Sequence, residues 1–396
     1  MPASALDVAA RHILHQWREH CALHIATGAD SESAARKRAP TLFVGLQGPQ
    51  GSGKSYLASK LPAALSDLAA SEDPSSQKSA LPSTSHGPEP EPHPRSRLRT
   101  VSVSLDDFYL PHSDLERVAR ESAGNRLLSG RGHAGTHDLQ LAVRTLEQFR
   151  PASGPPAPGR GAEQDPATGG AAGGGTTAVA WIPVFEKSLN GGRGDRLDRS
   201  EWVRVEAPQE VDIVLFEGWM NGFRLTGNLE ELYARAQRLD ESQTAQAQPD
   251  GGKKSEAAAG TAPTAAAAAA LRDEFGIDYP RPFFLDHPLE HLLAVEQNLA
   301  PYVELWNLLD AFVQLKPERL GYVWEWRLEQ EHNMKARNGG IGMTDDQVRD
   351  FIARYMPGYE LWLPSVTEPT SANSWSGRGV QIRLNQAREA VGTSTF

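Results

Sequence analysis

The sequence predicts an α/β protein in which a doubly wound, mostly parallel sheet has helices on both faces. Short apolar strands alternate with helix-patterned segments, a glycine-rich turn follows the first strand, and acidic residues stand at the ends of two later strands. This alternation is typical of parallel sheets whose crossover helices cover both faces. Four strands are predicted, over residues 41–47, 100–105, 213–217 and 311–316.

Three helices are predicted from apolar periodicity. In the first, Pro62 is expected to kink or shorten a pattern formed by Leu57, Leu61, Leu65 and Leu68. The second is expected to begin near Asp138, with an apolar face of Leu139, Val143, Leu146 and Phe149. The third opens with a capping-box pattern of Thr344 and Gln347. Its inward face comprises Val348, Phe351, Ile352 and Tyr355.

Charge and cysteine content exclude several classes of protein. The net charge of −10 argues against binding to nucleic acid or to an anionic membrane, because both require a basic face. Cys21 is the single cysteine, so neither an intrachain disulfide nor a thiolate metal site is expected. No signal peptide or transmembrane segment is predicted, and we therefore expect a cytoplasmic protein or a nuclear one.

Three low-complexity segments interrupt the chain, over residues 71–98, 151–177 and 240–272. They are rich in Ser, Pro, Gly and Ala and bury too little apolar surface to offset the entropy of ordering, so we expect disordered insertions. Without them roughly 300 residues remain, a length that suits one large domain. We predict a helical extension over residues 1–40 and a single domain over residues 41–396.

The sequence GPQGSGKS, residues 48–55, matches the phosphate-binding motif G-x-x-x-x-G-K-[ST] between a predicted strand and a predicted helix. Glycines allow the backbone N–H groups to turn toward phosphate oxygens, and the helix N-terminus adds partial positive charge. Lys54 is expected to reach the β- and γ-phosphates, and the Ser55 hydroxyl to bind Mg²⁺. The predicted nucleotide-binding residues are Gly48, Pro49, Gln50, Gly51, Ser52, Gly53, Lys54, Ser55 and Tyr56.

Carboxylates follow two other predicted strands. Asp106 and Asp107 come after the second strand, and Glu217 ends the third. The carboxyl ends of parallel strands lie at one edge of a sheet, so these acids are expected to face the phosphate-binding turn. A carboxylate there can accept the proton of an acceptor hydroxyl, and another can hold Mg²⁺.

The motifs together resemble the D-glycerate 3-kinase family, within the phosphoribulokinase, uridine kinase and pantothenate kinase group of P-loop kinases. The resemblance extends from about residue 42 to 363 and includes SLDDFYLPHSD, RGHAGTHD, KSLNGGRGDR, LFEGWMNGF and YVWEWRLEQEHNM. It implies a three-layer P-loop NTPase fold with a helical lid, use of ATP with Mg²⁺, and a small-molecule acceptor.

The resemblance also implies roles for individual residues. Asp106 matches the catalytic base, Glu217 matches the acid on the metal and substrate side, and Arg327 matches a lid arginine that neutralises charge on the phosphoryl group. Together with Lys54, Asp106 and Arg327 form the predicted catalytic set. The predicted acceptor pocket comprises Asp107, Tyr109, Arg131, His137, Asp138, Arg193, Arg196 and Glu217.

Several of these assignments have alternatives. Arg131, Arg193 and Arg196 are equal candidates for the fork that binds a substrate carboxylate. Asp138 is also suited to cap the helix that follows it, and Arg327 with Glu331 is also an i,i+4 helix pair. The sequence departs from the family pattern at Ala134 and at Phe185–Glu186, and both positions bear on the shape of the acceptor pocket.

The sequence therefore predicts an ATP-dependent kinase, with D-glycerate as the favoured acceptor and 3-phosphoglycerate as the product. One alternative keeps the mechanism but uses another acceptor, such as a nucleoside or pantothenate, because a fold does not determine the substrate. The other is a nucleotide-dependent binding module without an acceptor. The absence of a guanine-reading NKxD motif and the presence of Asp106 argue against this last reading.

Overall fold

The structure is a computed structural model, and it describes residues 3–27, 39–72, 97–150, 178–246, 269, 271–273, 275–368 and 373–396. Its centre is a six-stranded sheet in the order β10-β9-β8-β1-β7-β2. The pairs are parallel except for β9 with β10, which are antiparallel. The strands are β1 Leu42–Gln47, β2 Thr100–Ser104, β7 Ile213–Gly218, β8 Ala311–Pro317, β9 Gly379–Leu384 and β10 Ala390–Thr395.

Two small antiparallel pairs lie outside this sheet, and their strands fall between β2 and β7 in the sequence. They are formed by β3 Val179–Ile182 with β6 Val203–Glu206 and by β4 Phe185–Glu186 with β5 Asp195–Arg196. The helices are α1 Ala5–Thr27, α2 Lys54–Ser71, α3 His112–Glu121, α4 Leu139–Glu147, α5 Leu229–Gln246, α6 Leu289–Leu299, α7 Tyr302–Trp306, α8 Tyr322–Arg337, α9 Asp345–Ala353 and α10 Met356–Leu361.

The alternation of side chains along β1 divides the core into two layers. Leu42, Val44 and Leu46 pack with residues of α1 and α2 on one face of the sheet. Phe43 faces the opposite side and joins the larger cluster, which includes residues of α4, α6 and α7. This arrangement confirms the predicted α/β class with helices on both faces, because successive side chains of a strand point to opposite sides.

The N-terminal helix α1 belongs to the same core as the rest of the chain. Its residues Ala9, Ile13 and Leu14 are buried, and they pack with α2 and the sheet. Within the predicted extension over residues 1–40, residues Ala5–Thr27 form this helix, which packs against the sheet together with α2.

The sequence predicts that Pro62 kinks or shortens its helix. The helix is not shortened, because α2 continues from Lys54 to Ser71 with Pro62 inside. A proline has no N–H to bond to the carbonyl four residues earlier, which here is that of Ala58. The hydroxyl of Ser102, on β2, donates to the Ala58 oxygen at 3.1 Å instead. A neighbouring strand thus replaces the hydrogen bond that the proline removes.

The hairpin β9–β10 has no counterpart in the sequence prediction, which identified no strand after residue 316. Its strands extend the sheet beyond β8, and β9 pairs with β8 in parallel. The predicted insertion over residues 151–177 lies outside the described residues. Most residues of the other two predicted insertions, over 71–98 and 240–272, also lie outside them. Helix α5 runs to Gln246, so the third segment begins later than its composition predicts.

None of the helices in the described part of the chain is both long and apolar enough to cross a lipid bilayer.

Candidate active site

The phosphate-binding turn connects β1 to α2 in the predicted conformation. Gly51 and Gly53 have φ angles of 78° and 91°, in the left-handed region that favours glycine. Helix α2 begins at Lys54, and the N–H of Leu57 closes its first turn onto the Gly53 oxygen at 2.8 Å. The buried Ser52 hydroxyl has no hydrogen-bond partner among the described residues. The glycine backbone, Lys54 and the helix N-terminus therefore form a cradle that fits a nucleotide polyphosphate.

One amide of this turn is already engaged by the protein. The N–H of Gln50 donates to the hydroxyl of Tyr359 at 3.0 Å, and Tyr359 is buried on α10. This bond holds the start of the turn against α10, and it gives Gln50 a supporting contact besides its predicted nucleotide contact.

The predicted metal-binding residues meet at the edge of the sheet. The hydroxyl of Ser55 donates to Glu217 Oε1 at 3.0 Å, and that of Ser104 donates to the same oxygen at 3.1 Å. Ser104 and Glu217 are register partners on β2 and β7, which explains why they adjoin. A hydroxyl and a carboxylate supply the hard oxygen ligands that Mg²⁺ prefers, so this pair fits a magnesium ion.

Asp106 forms an ion pair that the sequence did not predict. The ammonium of Lys187 lies 2.5 Å from Asp106 Oδ2. Burial disfavours the charged form of Asp106, but the charges of Lys187 and Lys54 outweigh it and lower the pKa of the carboxyl to about 2. The pair places an ionised carboxylate and a cation in the same cleft as the phosphate-binding turn.

Asp107 lies beside Asp106 but does not line the cleft. The backbone N–H of Phe185 donates to its Oδ1 at 3.3 Å. Burial raises the pKa of Asp107 to about 6, and the nearby Asp106 carboxylate adds to the effect. Asp107 therefore supports the strand β4, which starts at Phe185, and the structure does not bring it to the predicted acceptor pocket.

Tyr109 forms the wall of the cleft next to Asp106, and His137 stacks behind it with ring centroids 4.4 Å apart. His137 Nδ1 bonds to the hydroxyl of Tyr302 at 2.7 Å. Burial lowers the pKa of His137 to about 3, so the ring is neutral at physiological pH. His137 does not reach the cleft, contrary to its predicted place in the acceptor pocket, because Tyr109 stands between them.

Asp138 and Arg196 also lie behind this wall. Asp138 Oδ1 accepts from the N–H of Leu141, which confirms its alternative role as the N-cap of α4. Its Oδ2 pairs with Arg196 at 3.2 Å, and a second nitrogen of Arg196 donates to the Tyr109 carbonyl at 2.8 Å. Both residues hold Tyr109 in place, and neither lines the cleft.

The other two candidate arginines differ in position. Arg131 lines the cleft and donates to the carbonyls of Gly192 and Arg193. Its guanidinium lies 5.7 Å from the ring centroid of Phe185. Arg193 is largely exposed and pairs with Glu116 at 3.1 Å. It lines a neighbouring groove and not the cleft, so of the three predicted arginines only Arg131 borders the predicted acceptor pocket.

Arg327 extends from α8 over the cleft, as the predicted lid arginine requires. Its Nη2 lies 2.8 Å from Oε2 of the buried Glu331, and the guanidinium lies 5.3 Å from the ring centroid of Phe351. Arg327 therefore forms the i,i+4 pair and also borders the cleft, and its role at the phosphoryl group stays a prediction.

The cleft itself has a volume of about 1170 Å³. Asp106, Lys187, Glu217 and Arg131 lie on its lining together with the turn over residues 50–56. Sequence reasoning missed Lys187, Trp219, Phe351 and Tyr355 as lining residues, all of which are in motifs or helices that it singled out. Lys187 is the first residue of the motif KSLNGGRGDR. A lysine in such a motif is a candidate for contact with a phosphate or a carboxylate, so the sequence did contain a signal for it.

Known proteins resemble this chain over most of its length. A D-glycerate 3-kinase structure from Cryptococcus neoformans var. grubii serotype A is 34% identical, covers 100% of both chains and superposes with a TM-score of 0.68. The Schizosaccharomyces pombe protein named "Uncharacterized kinase mug58" is 28% identical over 332 residues, which are 84% of each chain. The chloroplastic D-glycerate 3-kinase of Arabidopsis thaliana is 28% identical over 294 residues, which are 74% of this chain and 47% of the plant one. No family model matches the sequence.

These relatives confirm the predicted resemblance, the P-loop kinase fold and the phosphotransferase class. As a P-loop kinase, the protein uses ATP together with a divalent metal ion and acts on a small molecule. Identity of 34% across both full chains shows that this protein belongs to the D-glycerate 3-kinase family of ATP-dependent phosphotransferases.

Proposed function

We propose that the protein transfers the γ-phosphoryl group of ATP to D-glycerate and releases 3-phosphoglycerate and ADP. The observation that carries this proposal is the position of Asp106 and Lys187, which share one cleft with the phosphate-binding turn. The two relatives named D-glycerate 3-kinase support the choice of acceptor.

The turn between β1 and α2 binds the triphosphate. Backbone N–H groups at the start of α2 and the Lys54 ammonium contact the phosphate oxygens, because positive partial charge collects at a helix N-terminus. Ser55 and Glu217 would hold Mg²⁺, which would neutralise part of the charge of the phosphates. Arg327 reaches the same cleft from α8 and neutralises charge on the oxygens of the transferring group.

Asp106 orients the acceptor hydroxyl and takes its proton. As the bond from the acceptor oxygen to the γ-phosphorus forms, the bond from that phosphorus to the ADP oxygen breaks, and the hydroxyl proton passes to Asp106. A carboxyl with a pKa of about 2 is a weak base while Lys187 is bound to it. We infer that Lys187 moves from Asp106 to the phosphate oxygens when ATP binds, which raises the pKa of Asp106 and adds positive charge at the phosphoryl group.

Arg131 is the residue that we assign to the carboxylate of the acceptor. It lies on the cleft wall, and the carbonyls of Gly192 and Arg193 anchor its guanidinium. Phe185 lies with its ring centroid 5.7 Å from that guanidinium and 5.3 Å from the ring centroid of Tyr109, so it packs against two side chains that line the cleft. A cation in the cleft wall suits the carboxylate of a small hydroxy acid better than it suits an uncharged alcohol.

A screen of acceptors tests the proposal. ADP release is measured with D-glycerate, L-glycerate, pantothenate, uridine and water alone, and we expect D-glycerate to stimulate it most. The Arg131→Met variant should raise the KM for D-glycerate with little change in the KM for ATP. Arg120→Met is the matched control, because Arg120 is an exposed arginine of the neighbouring groove. No stimulation by D-glycerate above the rate in water would refute the choice of acceptor, and stimulation by pantothenate or uridine would identify another.

A further inference from the structure

The turn of the C-terminal hairpin contacts the phosphate-binding turn. Arg388, between β9 and β10, donates from Nε to the Gly51 carbonyl at 2.7 Å and lines the same cleft. These residues are 337 positions apart in the sequence. Arg388 lies outside the sequence motifs that the chain shares with the kinase family.

The remaining contacts of the hairpin turn lead to helix α8. Arg388 Nη2 pairs with Glu329 at 2.8 Å, and its guanidinium lies 5.4 Å from the ring centroid of Trp326. Trp326 Nε1 in turn donates to the carbonyl of Gln386 at 2.7 Å. One short turn therefore binds both the phosphate-binding turn and the helix that carries Arg327.

The backbone of Arg388 is in an unusual conformation for a residue with a side chain. Its φ angle is 66°, in the left-handed region, where residues other than glycine are disfavoured. A glycine would satisfy this turn without strain. The turn geometry therefore does not account for an arginine at this position, whereas the contacts of its side chain do.

The side chain of Arg388 can fix the orientation of the peptide group that follows Gly51. Gly51, with φ at 78°, has no Cβ, so its backbone allows more orientations of the following peptide group than that of another residue. Rotation would turn the Gly51 oxygen into the phosphate cradle, where its negative partial charge would repel the phosphates. The hydrogen bond from Arg388 fixes the direction of that oxygen, and a charged donor makes this bond stronger than a neutral one.

We propose that the hairpin turn over residues 385–389 is part of the nucleotide site and that Arg388 is a positioning residue. Arg388 fixes the Gly51 peptide in the orientation that binds phosphate, and it joins the phosphate-binding turn to α8 so that Arg327 and Lys54 act on the same phosphates. The inference rests on nucleotide binding at this turn and is independent of which molecule accepts the phosphoryl group.

The test is ADP binding in the presence of Mg²⁺, measured by calorimetry, with the melting temperature recorded for each variant. Arg388→Ala should raise the Kd for ADP by about tenfold, as expected for the loss of one charge-assisted hydrogen bond. Arg388→Lys should recover part of the affinity, because it keeps the charge without the fixed fork. Arg388→Gly should weaken ADP binding as much as Arg388→Ala but melt at a higher temperature, since glycine relieves the strained φ.

The matched control is Arg383→Ala, which removes an exposed arginine of the same hairpin that pairs with Glu318 at 3.7 Å. Its Kd for ADP should equal that of the wild type. A wild-type Kd for ADP in Arg388→Ala would overturn the inference. A wild-type Kd in Arg388→Gly together with a higher melting temperature would also overturn it, because Arg388 would then have a merely structural role. If the wild type binds ADP but does not phosphorylate D-glycerate, the proposed acceptor fails and the role of Arg388 is still testable.

Discussion

Replacing Lys187 with methionine removes the ammonium group that lies 2.5 Å from Asp106 Oδ2. In the wild type this charge, with that of Lys54, overcomes the effect of burial and lowers the pKa of Asp106 to about 2. Methionine occupies a similar volume without the charge. We therefore expect the pKa of Asp106 to rise in the variant, because burial then acts against a weaker opposing charge.

The neighbouring carboxyl indicates the size of the change. Asp107 has no ion pair within 4 Å among the described residues, and burial raises its pKa to about 6 from 3.8. We expect the pKa of Asp106 in the variant to lie between 3.8 and about 6. A base with a pKa near the upper limit loses up to roughly tenfold in rate as the pH falls from 7 to 5, because protonation removes its ionised form.

The assay is the pH profile of kcat/KM for ATP between pH 5 and pH 8, followed by ADP release, because this ratio reports the ionisation of the enzyme before ATP binds. Lys187→Met should show a decline toward pH 5 that exceeds any decline of the wild type. Lys187→Arg keeps the positive charge and should follow the wild-type profile. A profile of Lys187→Met that superimposes on that of the wild type would refute the conclusion that Lys187 controls the ionisation of Asp106.

Three further predictions concern single side chains. Asp106→Asn should lower kcat by roughly 10²–10⁴ and leave the Kd for ADP unchanged, because it removes the proton acceptor and not a phosphate contact. Ser102→Ala should lower the free energy of unfolding in urea by about 1 kcal/mol, since the Ala58 carbonyl loses its donor. His137 has a pKa of about 3, below the ordinary 6.5, so its contribution to stability is complete above pH 6.5 and is lost as the pH falls toward 3. Between pH 7 and pH 5 the free energy of unfolding should therefore fall by about 2 kcal/mol less in His137→Phe than in the wild type.

Each of these predictions has an outcome that contradicts it. Unchanged turnover in Asp106→Asn would show that this carboxylate takes no proton. The cost of Ser102→Ala should shrink when Pro62 is also replaced by alanine, because the new N–H can bond to the Ala58 carbonyl, and an equal cost in both backgrounds would exclude the explanation. Equal pH dependence of stability for His137→Phe and the wild type would mean that His137 is not held neutral in the fold.

The fold and half of the site followed from local sequence patterns. The motif over residues 48–55 defines a conformation through glycines at positions 48, 51 and 53, so no distant contact is needed to predict it. Asp106 follows β2, and Glu217 lies near the end of β7. The apolar patterns of these strands already place their carboxyl ends at one edge of a parallel sheet. For the same reason the caps at Asp138 and Thr344 were predictable, because both bond within their own helices.

The acceptor half of the site was predictable only in part. His137, Asp138, Arg193 and Arg196 belong to motif blocks that suggest a pocket, yet none of them lines the cleft. Their directions depend on partners far away in the sequence, such as Tyr302 for His137 and Glu116 for Arg193. The spacing of residues along a chain does not show which side of a loop faces a neighbouring element.

By itself the sequence determined that this chain forms a parallel α/β sheet with a phosphate-binding turn beside two strand-end carboxylates. These features depend on residues a few positions apart and on the periods of strands and helices. Only the tertiary structure decided that Lys187 meets Asp106 and that Arg388 holds Gly51. Such contacts join segments separated by tens to hundreds of residues, and their geometry exists only after the core has packed and brought the loops to one edge of the sheet.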